Sequence, residues 1–509
     1  MIFNYRMRAI AVSLLFVSSV GVAQSKSAIS PESRTSRYMQ SIRGNIPLLT
    51  AFLSEMPKGG DLHYHLSGGV YAETMIAWAA DAKLCVETQT LQLVKPPCNE
   101  AAGNRDAASA LSDPVLYRRM VDGWSMRNWQ NSGQSGHDHF FDTFTKFGLA
   151  GDDHTGDMLA EVAQRAALSH ELYQELMFTA DNGRVAAVGK QVGWIEDFKT
   201  MRETLLANGL PEAVEAGRKS IDTAEKQRDT DLQCGTPKAD PGCQITQRYV
   251  YQVLRGIPKQ MVFAQILAGF EMASADSRVV GFNLVMPEDY YVPMHDYSLH
   301  MLIIDFLKPL YPKVHISLHA GELAPGLVPP DGLTFHIREA VERGHAERIG
   351  HGVDVMEEEH SIELLKEMAK RNVMVEINLT SNDVILGVKG KEHPLAAYLK
   401  YGVPVALSTD DEGVSRSNMS REYVKAVVDQ DLNYAQLKSM ARTSLEHAFV
   451  SGDSLWRDGH TFLRVKACAL DKPAAEKLSG SCSSYLHANQ KANLQWQLEK
   501  QLAEFESRW

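Results

Sequence analysis

Eight short apolar runs alternate with helix-forming stretches along most of this chain, and that alternation limits the fold more than any other feature. The runs lie at 62–66, 175–179, 249–254, 279–285, 314–318, 346–349, 373–378 and 403–408. Helical patterns separate them, among others at 261–272, 335–342, 361–371 and 393–400. In 361–371, Ile362, Leu365 and Met368 fall on one face at helical spacing, and a β-branched run follows. Eight strand–helix units predict an α/β chain closed into a (β/α)8 TIM-type barrel.

Three regions depart from the plain repeat. Residues 24–55 are polar and then amphipathic, which predicts a leader helix, so the barrel is expected to occupy 56–509. Residues 81–135 contain Cys85, Cys98 and Pro96-Pro97, and residues 217–245 contain the polar run 226–231 with Cys234 and Cys243. Both read as loop insertions, either covering the mouth of a site or forming an oligomer contact. After Ser420 the pattern is mainly helical, at 422–428, 434–447 and 490–504, which predicts extra C-terminal helices.

The chain has 509 residues and a formal net charge of −11. An acidic balance argues against a nucleic-acid-binding surface but admits a small nucleoside. Arg6 and Arg8 precede an apolar stretch, 9–22, that is short for a membrane span, and Gly21-Val22-Ala23 fits a small-residue cleavage site. Residues 1–23 therefore read as a cleaved signal, with an uncleaved anchor as the alternative. The signal reading predicts an exported protein, periplasmic or secreted, with no membrane segment after cleavage. The six cysteines fall into close pairs, Cys85/Cys98, Cys234/Cys243 and Cys468/Cys482. Six cysteines allow 15 connectivities, and the local one closes the shortest loops. Export favours their oxidation.

Several strands end on residues that carry chemistry. His63 and His65 stand two apart, so on a strand both imidazoles face one side. His319 ends the fifth run and Asp410 follows the eighth. In a parallel barrel these ends share one rim. His63, His65, His319 and Asp410 make a donor set that suits one catalytic zinc, which lowers the pKa of water so that hydroxide exists near neutral pH. Glu322, three residues after His319, is placed to pass a proton to or from a substrate. His351, between Gly350 and Gly352, is placed to orient water or to stabilise charge that builds during attack. Asp411, adjacent to Asp410, must point elsewhere and is free to meet the substrate.

At these residues the chain resembles the adenosine deaminase family of metal-dependent barrel hydrolases, from Met56-Pro57-Lys58 to about Phe449 with gaps at the two insertions. The shared blocks are Met56-Pro57-Lys58 with His63 and His65, His319-Ala320-Gly321-Glu322, Arg348-Ile349-Gly350-His351-Gly352, Ser381-Asn382, His393-Pro394 and Ser408-Thr409-Asp410-Asp411, in the family's order. The resemblance implies one zinc on His63, His65, His319 and Asp410, and hydrolytic removal of a purine 6-amino group as ammonia. It implies that Glu322 gives a proton to N1, that His351 steadies the attacking oxygen, and that Asp411 meets N7. The implied partner is a purine nucleoside, adenosine or deoxyadenosine, and the implied role is purine salvage by an exported branch of the family.

Three positions depart from the family pattern. Ser67 stands where many members carry a sugar-binding Asp, 283–288 lacks the usual glycine near the purine, and Glu412 replaces a common proline. Ser67 remains a candidate for a sugar hydroxyl, a weaker contact than a carboxylate gives. An aromatic group at 140–147 reads either as a lid over the purine or as a core-facing stripe. The residues leave open a different 6-aminopurine (adenine or AMP), a different hydrolysis on the same barrel, and a binding protein without turnover. They also leave open whether the chain forms an oligomer.

Overall fold

A computed structural model describes residues 1–2, 29–475 and 477–509, so nearly all of the signal-like segment lies outside the described residues. Eight parallel strands run in sequence order: β1 (Gly59–His65), β2 (Glu171–Phe178), β3 (Thr246–Leu254), β4 (Val279–Val285), β5 (His315–Ala320), β6 (Arg348–His351), β7 (Met374–Ile377) and β8 (Val405–Leu407). Each is one of the predicted runs. The ring closes where Asp410 N–H donates to His63 O at 2.9 Å and His65 N–H to Asp410 O at 3.1 Å. Closure thus falls on two metal-ligand candidates. β4 is buried at all seven positions and β6 at all four, as strands covered on both faces must be.

Helices cover the outside. Lys259–Ala275 packs on β3 and β4. Ser361–Arg371 has the predicted bounds, buries Leu364, Leu365 and Met368, and stops at Asn372, whose φ of 57° is left-handed. The leader forms two helices, Pro31–Ile42 and Ile46–Ser54, capped by the side chains of Ser30 and Asn45. They pack against the C-terminal helix Gln490–Glu506 and the residues after it, with Tyr38 stacked on Trp509 and Phe52 against Phe505.

The first insertion folds as a small antiparallel sheet, Cys85–Glu87, Leu93–Val94 and Asn104–Asp106, followed by the helix Pro114–Gly123. The second differs from the expected loop. Residues 217–231 continue the helix Leu210–Asp231, which buries Leu210, Val214, Ile221 and Ala224 and leaves most of the polar run exposed. The run looked like a loop because only one face of the helix is apolar. All three disulfides join the local pairs, Cys85–Cys98, Cys234–Cys243 and Cys468–Cys482.

Candidate active site

The C-terminal ends of the strands surround a cavity of about 370 Å³, lined among others by His65, Ser67, His319, Glu322, His351, Asp410 and Asp411. His63 lies just beneath, fully buried. The structure brings all eight residues singled out in the sequence to this one rim. Two backbone positions aim their side chains by conformations that non-glycine residues rarely hold, φ 69° at His351 and φ 63° at Asp410. At Gly350 an added Cβ would stand 2.5 Å from His63 Cε1, so that glycine makes room for the ring. Gly68 does the same for the Asp411 carboxyl.

The donor atoms converge. His63 Nε2 is 3.5 Å and His65 Nε2 3.4 Å from Asp410 Oδ1, and His65 Nε2 is 3.2 Å from His319 Nε2. Nε2 of His63 is buried with no hydrogen-bond partner. Each of these histidines offers its other nitrogen to an acceptor. His63 Nδ1 meets Glu376 Oε2 at 2.6 Å, His65 Nδ1 meets Gln252 Oε1 at 3.2 Å, and His319 Nδ1 meets Asn283 Oδ1 at 2.9 Å. An acceptor there places the proton on Nδ1 and leaves a lone pair on Nε2, the arrangement of metal-bound histidines. Three imidazoles and one carboxylate around one point fit a divalent metal ion. His351 also lies close, with Nε2 3.8 Å from Asp410 Oδ2 and 3.7 Å from Glu322 Oε1.

Two further carboxyls face the cavity in a different state. Burial, then the neighbouring Asp410 and Glu288, push Glu322 up to about 8. Burial and Asp410 push Asp411 well above the carboxylate range, and its Oδ1 has no partner. Asp410 goes the other way: burial would raise it, but His63, His351 and His65 hold it low. One carboxylate is thus favoured as the anion among imidazoles, while burial favours the protonated form of the two beside it.

The aromatic helix, Gly136–Phe147, does both of the things its sequence allowed. Phe147 packs in the core, while Phe140, Phe141 and Phe144 wall the cavity opposite Met286 and Tyr290. Neither insertion contributes a lining residue among the described ones. The sequence reading missed Glu376, Gln252 and Asn283. Each was visible as a polar residue inside an otherwise apolar run.

A family model described as adenosine deaminase matches residues 215–456, which carry six of the eight barrel strands. An adenosine deaminase of Escherichia coli (strain SE11) is 34% identical over 140 residues, 27% of this chain and 39% of the relative. One of Vibrio vulnificus (strain YJ016) is 26% identical over 223 residues, 43% of this chain and 60% of the relative. The matches to these curated relatives therefore span less than two thirds of their length. The apo structure of the N6-methyl-AMP deaminase from Arabidopsis thaliana superposes with a TM-score of 0.51 at 20% identity, over 79% of this chain and 94% of that one, a likeness of fold. The family's model thus lies over just under half of the chain, including six of the eight strands that form the site, and over that stretch the chain is similar to the adenosine deaminase family.

Proposed function

We propose that this protein is a zinc-dependent hydrolase that converts adenosine or deoxyadenosine, with one water, to the 6-oxo nucleoside and ammonia. The observation that carries the reading is the convergence of His63, His65, His319 and Asp410 on one point, with two further carboxyls, Glu322 and Asp411, which burial and Asp410 push toward the protonated form, facing the same small cavity. A purine offers acceptor nitrogens at N1 and N7, which suit two such donors. Zinc on His63, His65, His319 and Asp410 would supply a water acidified enough to attack at neutral pH.

Glu322 gives its proton to N1, which draws electrons from C6 and opens it to attack. Asp411 holds N7 and fixes the ring plane. His351 steadies the oxygen that adds to C6. The C6–N bond then breaks as the two protons of the added water go one to the departing amino group and one back to Glu322, and ammonia leaves. The aromatic wall of Phe140, Phe141 and Phe144 excludes water from the ring faces. Ser67 lies on the same lining, where it meets a sugar hydroxyl.

An uncharged nucleoside suits this cavity better than a nucleotide. Among the described residues no lysine or arginine lines it, so a 5′-phosphate would find no counter-charge. Export is part of the proposal, supported by the signal-like N-terminus and by three closed disulfides.

The test is ammonia release from zinc-loaded protein given adenosine, deoxyadenosine, adenine and AMP in parallel. The nucleosides should turn over fastest, and Glu322→Gln should abolish turnover with zinc still bound. Preference for AMP would overturn the substrate assignment, and an unchanged rate in Glu322→Gln would overturn the mechanism.

A further inference from the structure

His351 differs from its three neighbours in what its inner nitrogen meets. Its Nδ1 faces amide nitrogens, Asn382 Nδ2 at 3.0 Å and Asn378 Nδ2 at 3.4 Å. The direction of these bonds follows from a chain that begins at a backbone amide. Leu395 N–H donates to His393 Nδ1 at 3.1 Å, and a backbone N–H can only donate. His393 Nδ1 therefore carries no proton. A neutral imidazole has one N–H, so it sits on Nε2, which lies 3.1 Å from Asn382 Oδ1. That bond fixes the amide of Asn382 with its oxygen toward His393 and its NH2 toward His351. His351 Nδ1 must then accept, and the one proton of that ring sits on Nε2, facing the cavity.

We infer that His393 and Asn382 are positioning residues that lock His351 in the Nε2-protonated tautomer, making it a hydrogen-bond donor to the reacting oxygen rather than a metal ligand or a base. All three side chains are buried. Burial keeps the His393 ring neutral at physiological pH, lowering it to about 4, and the amide NH2 groups at His351 Nδ1 require that nitrogen to be bare. The same rule sorts the four clustered histidines. Acceptors at Nδ1 leave His63, His65 and His319 with bare Nε2 atoms for a metal, while donors at Nδ1 leave His351 with an N–H. A donor strengthens as the attacking oxygen gains charge, which is where it aids the reaction. The blocks Ser381-Asn382 and His393-Pro394 lie outside the cavity lining, and this chain gives the second residue of one and the first of the other a task.

The catalytic consequence rests on the deaminase reading above, whereas the tautomer does not. Nitrogen-15 NMR on the full, zinc-loaded protein with labelled histidine tests the tautomer directly, with His351→Gln identifying the signals of His351 by their loss. The expected result is a protonated Nε2 and a bare Nδ1. Asn382→Asp puts an acceptor against Nδ1 and should exchange the two, lowering kcat by up to about 10⁴-fold, the loss seen when a catalytic histidine is held in the wrong tautomer. KM and zinc content should hold. His393→Gln still offers an N–H to Asn382 and should keep both tautomer and turnover, while His393→Leu should lose both in part. A wild-type spectrum with Nδ1 protonated, or both nitrogens protonated, would overturn the inference even if no variant folds. Exchange of the tautomer with kcat unchanged would overturn its catalytic consequence. A protein that deaminates none of the four purines would sink the function reading and leave the spectrum to decide this one.

Discussion

Glu288 accepts the backbone N–H of Glu322 on Oε2 at 2.8 Å and that of Gly321 on Oε1 at 3.0 Å. The carboxylate is fully buried and is itself held by His336 Nδ1 at 2.5 Å and Arg255 Nη2 at 3.7 Å. Burial alone would raise its pKa, but Arg255 and His336 hold it down, to about 2. The same Arg255 donates to the carbonyl of His319 at 3.1 Å and to that of Met286 at 3.2 Å. One buried ion cluster thus sets the segment that bears a candidate ligand and the candidate acid. Glu288→Gln should lower kcat about 10–100-fold, the usual cost of losing an outer-shell partner. Because it leaves Arg255 short of a counter-charge, it should also cost about 3 kcal/mol of stability. Steady-state kinetics and urea unfolding check both, and values equal to wild type for both would show that the clamp is idle.

The Cys234–Cys243 bridge closes a turn nine residues along the chain, at the foot of the helix Leu210–Asp231, and neither cysteine lines the cavity. A loop this short removes about 2–3 kcal/mol of unfolded-state entropy in the chain-entropy account. The double variant Cys234→Ser/Cys243→Ser should lose that much in urea unfolding while keeping kcat and KM. A fall in kcat at full folding would instead tie this helix to the site.

The barrel was legible in the sequence because each strand is a compact apolar run and the helices between them repeat on one face. The residues of the rim were legible because histidine and acidic side chains end those runs. Glu376, Asn283 and Gln252 were overlooked for a physical reason. They lie within strands, where one polar residue reads as noise until its partner is seen, and each partner is a histidine on another strand. The polar run 226–231 misled because an exposed helix end and a loop share a composition. Closure through Asp410 carries no local signal, since it joins residues more than 300 positions apart.

Lys58 sits at 1% exposure, its ammonium donating to the carbonyls of Met56 at 2.7 Å and Ser169 at 2.8 Å. Burial lowers its pKa to about 7, against the pull of Glu171 and Glu55. In the unfolded chain it titrates near 10.4. Between these values the unfolded state holds the proton and the folded state does not, so this group makes stability rise with pH across that window. The contribution is up to about 1.4 kcal/mol per pH unit. Below pH 7 both states are protonated and the burial cost stays constant. Lys58→Met should remove this slope: the difference in unfolding free energy between variant and wild type should change between pH 7 and 10 and be flat below 7. A difference that is flat throughout would mean that the buried amine stays charged.

His63 is the end of a buried ionic chain. Its Nδ1 meets Glu376 Oε2 at 2.6 Å, Glu376 Oε1 meets Arg348 Nε at 2.7 Å, and Arg348 Nη2 meets Glu175 Oε2 at 2.5 Å, all at 0% side-chain exposure. Burial would raise Glu376, yet Arg348 and His63 keep it low, so it stays an anion. An anion on Nδ1 makes Nε2 a stronger donor to a metal and fixes the ring's angle. Glu376→Gln keeps the shape and one acceptor oxygen but removes the charge, and should weaken zinc binding about 10–100-fold by chelator competition. Gly350→Ala leaves the charges intact and instead drives a methyl group toward His63 Cε1. It should weaken zinc binding by displacing the ring. If the charge alone matters, only the first variant loses affinity; if ring placement alone matters, only the second does. Loss in both is the outcome this geometry requires, because Glu376 grips the ring at Nδ1 and Gly350 leaves room for its Cε1–Nδ1 edge.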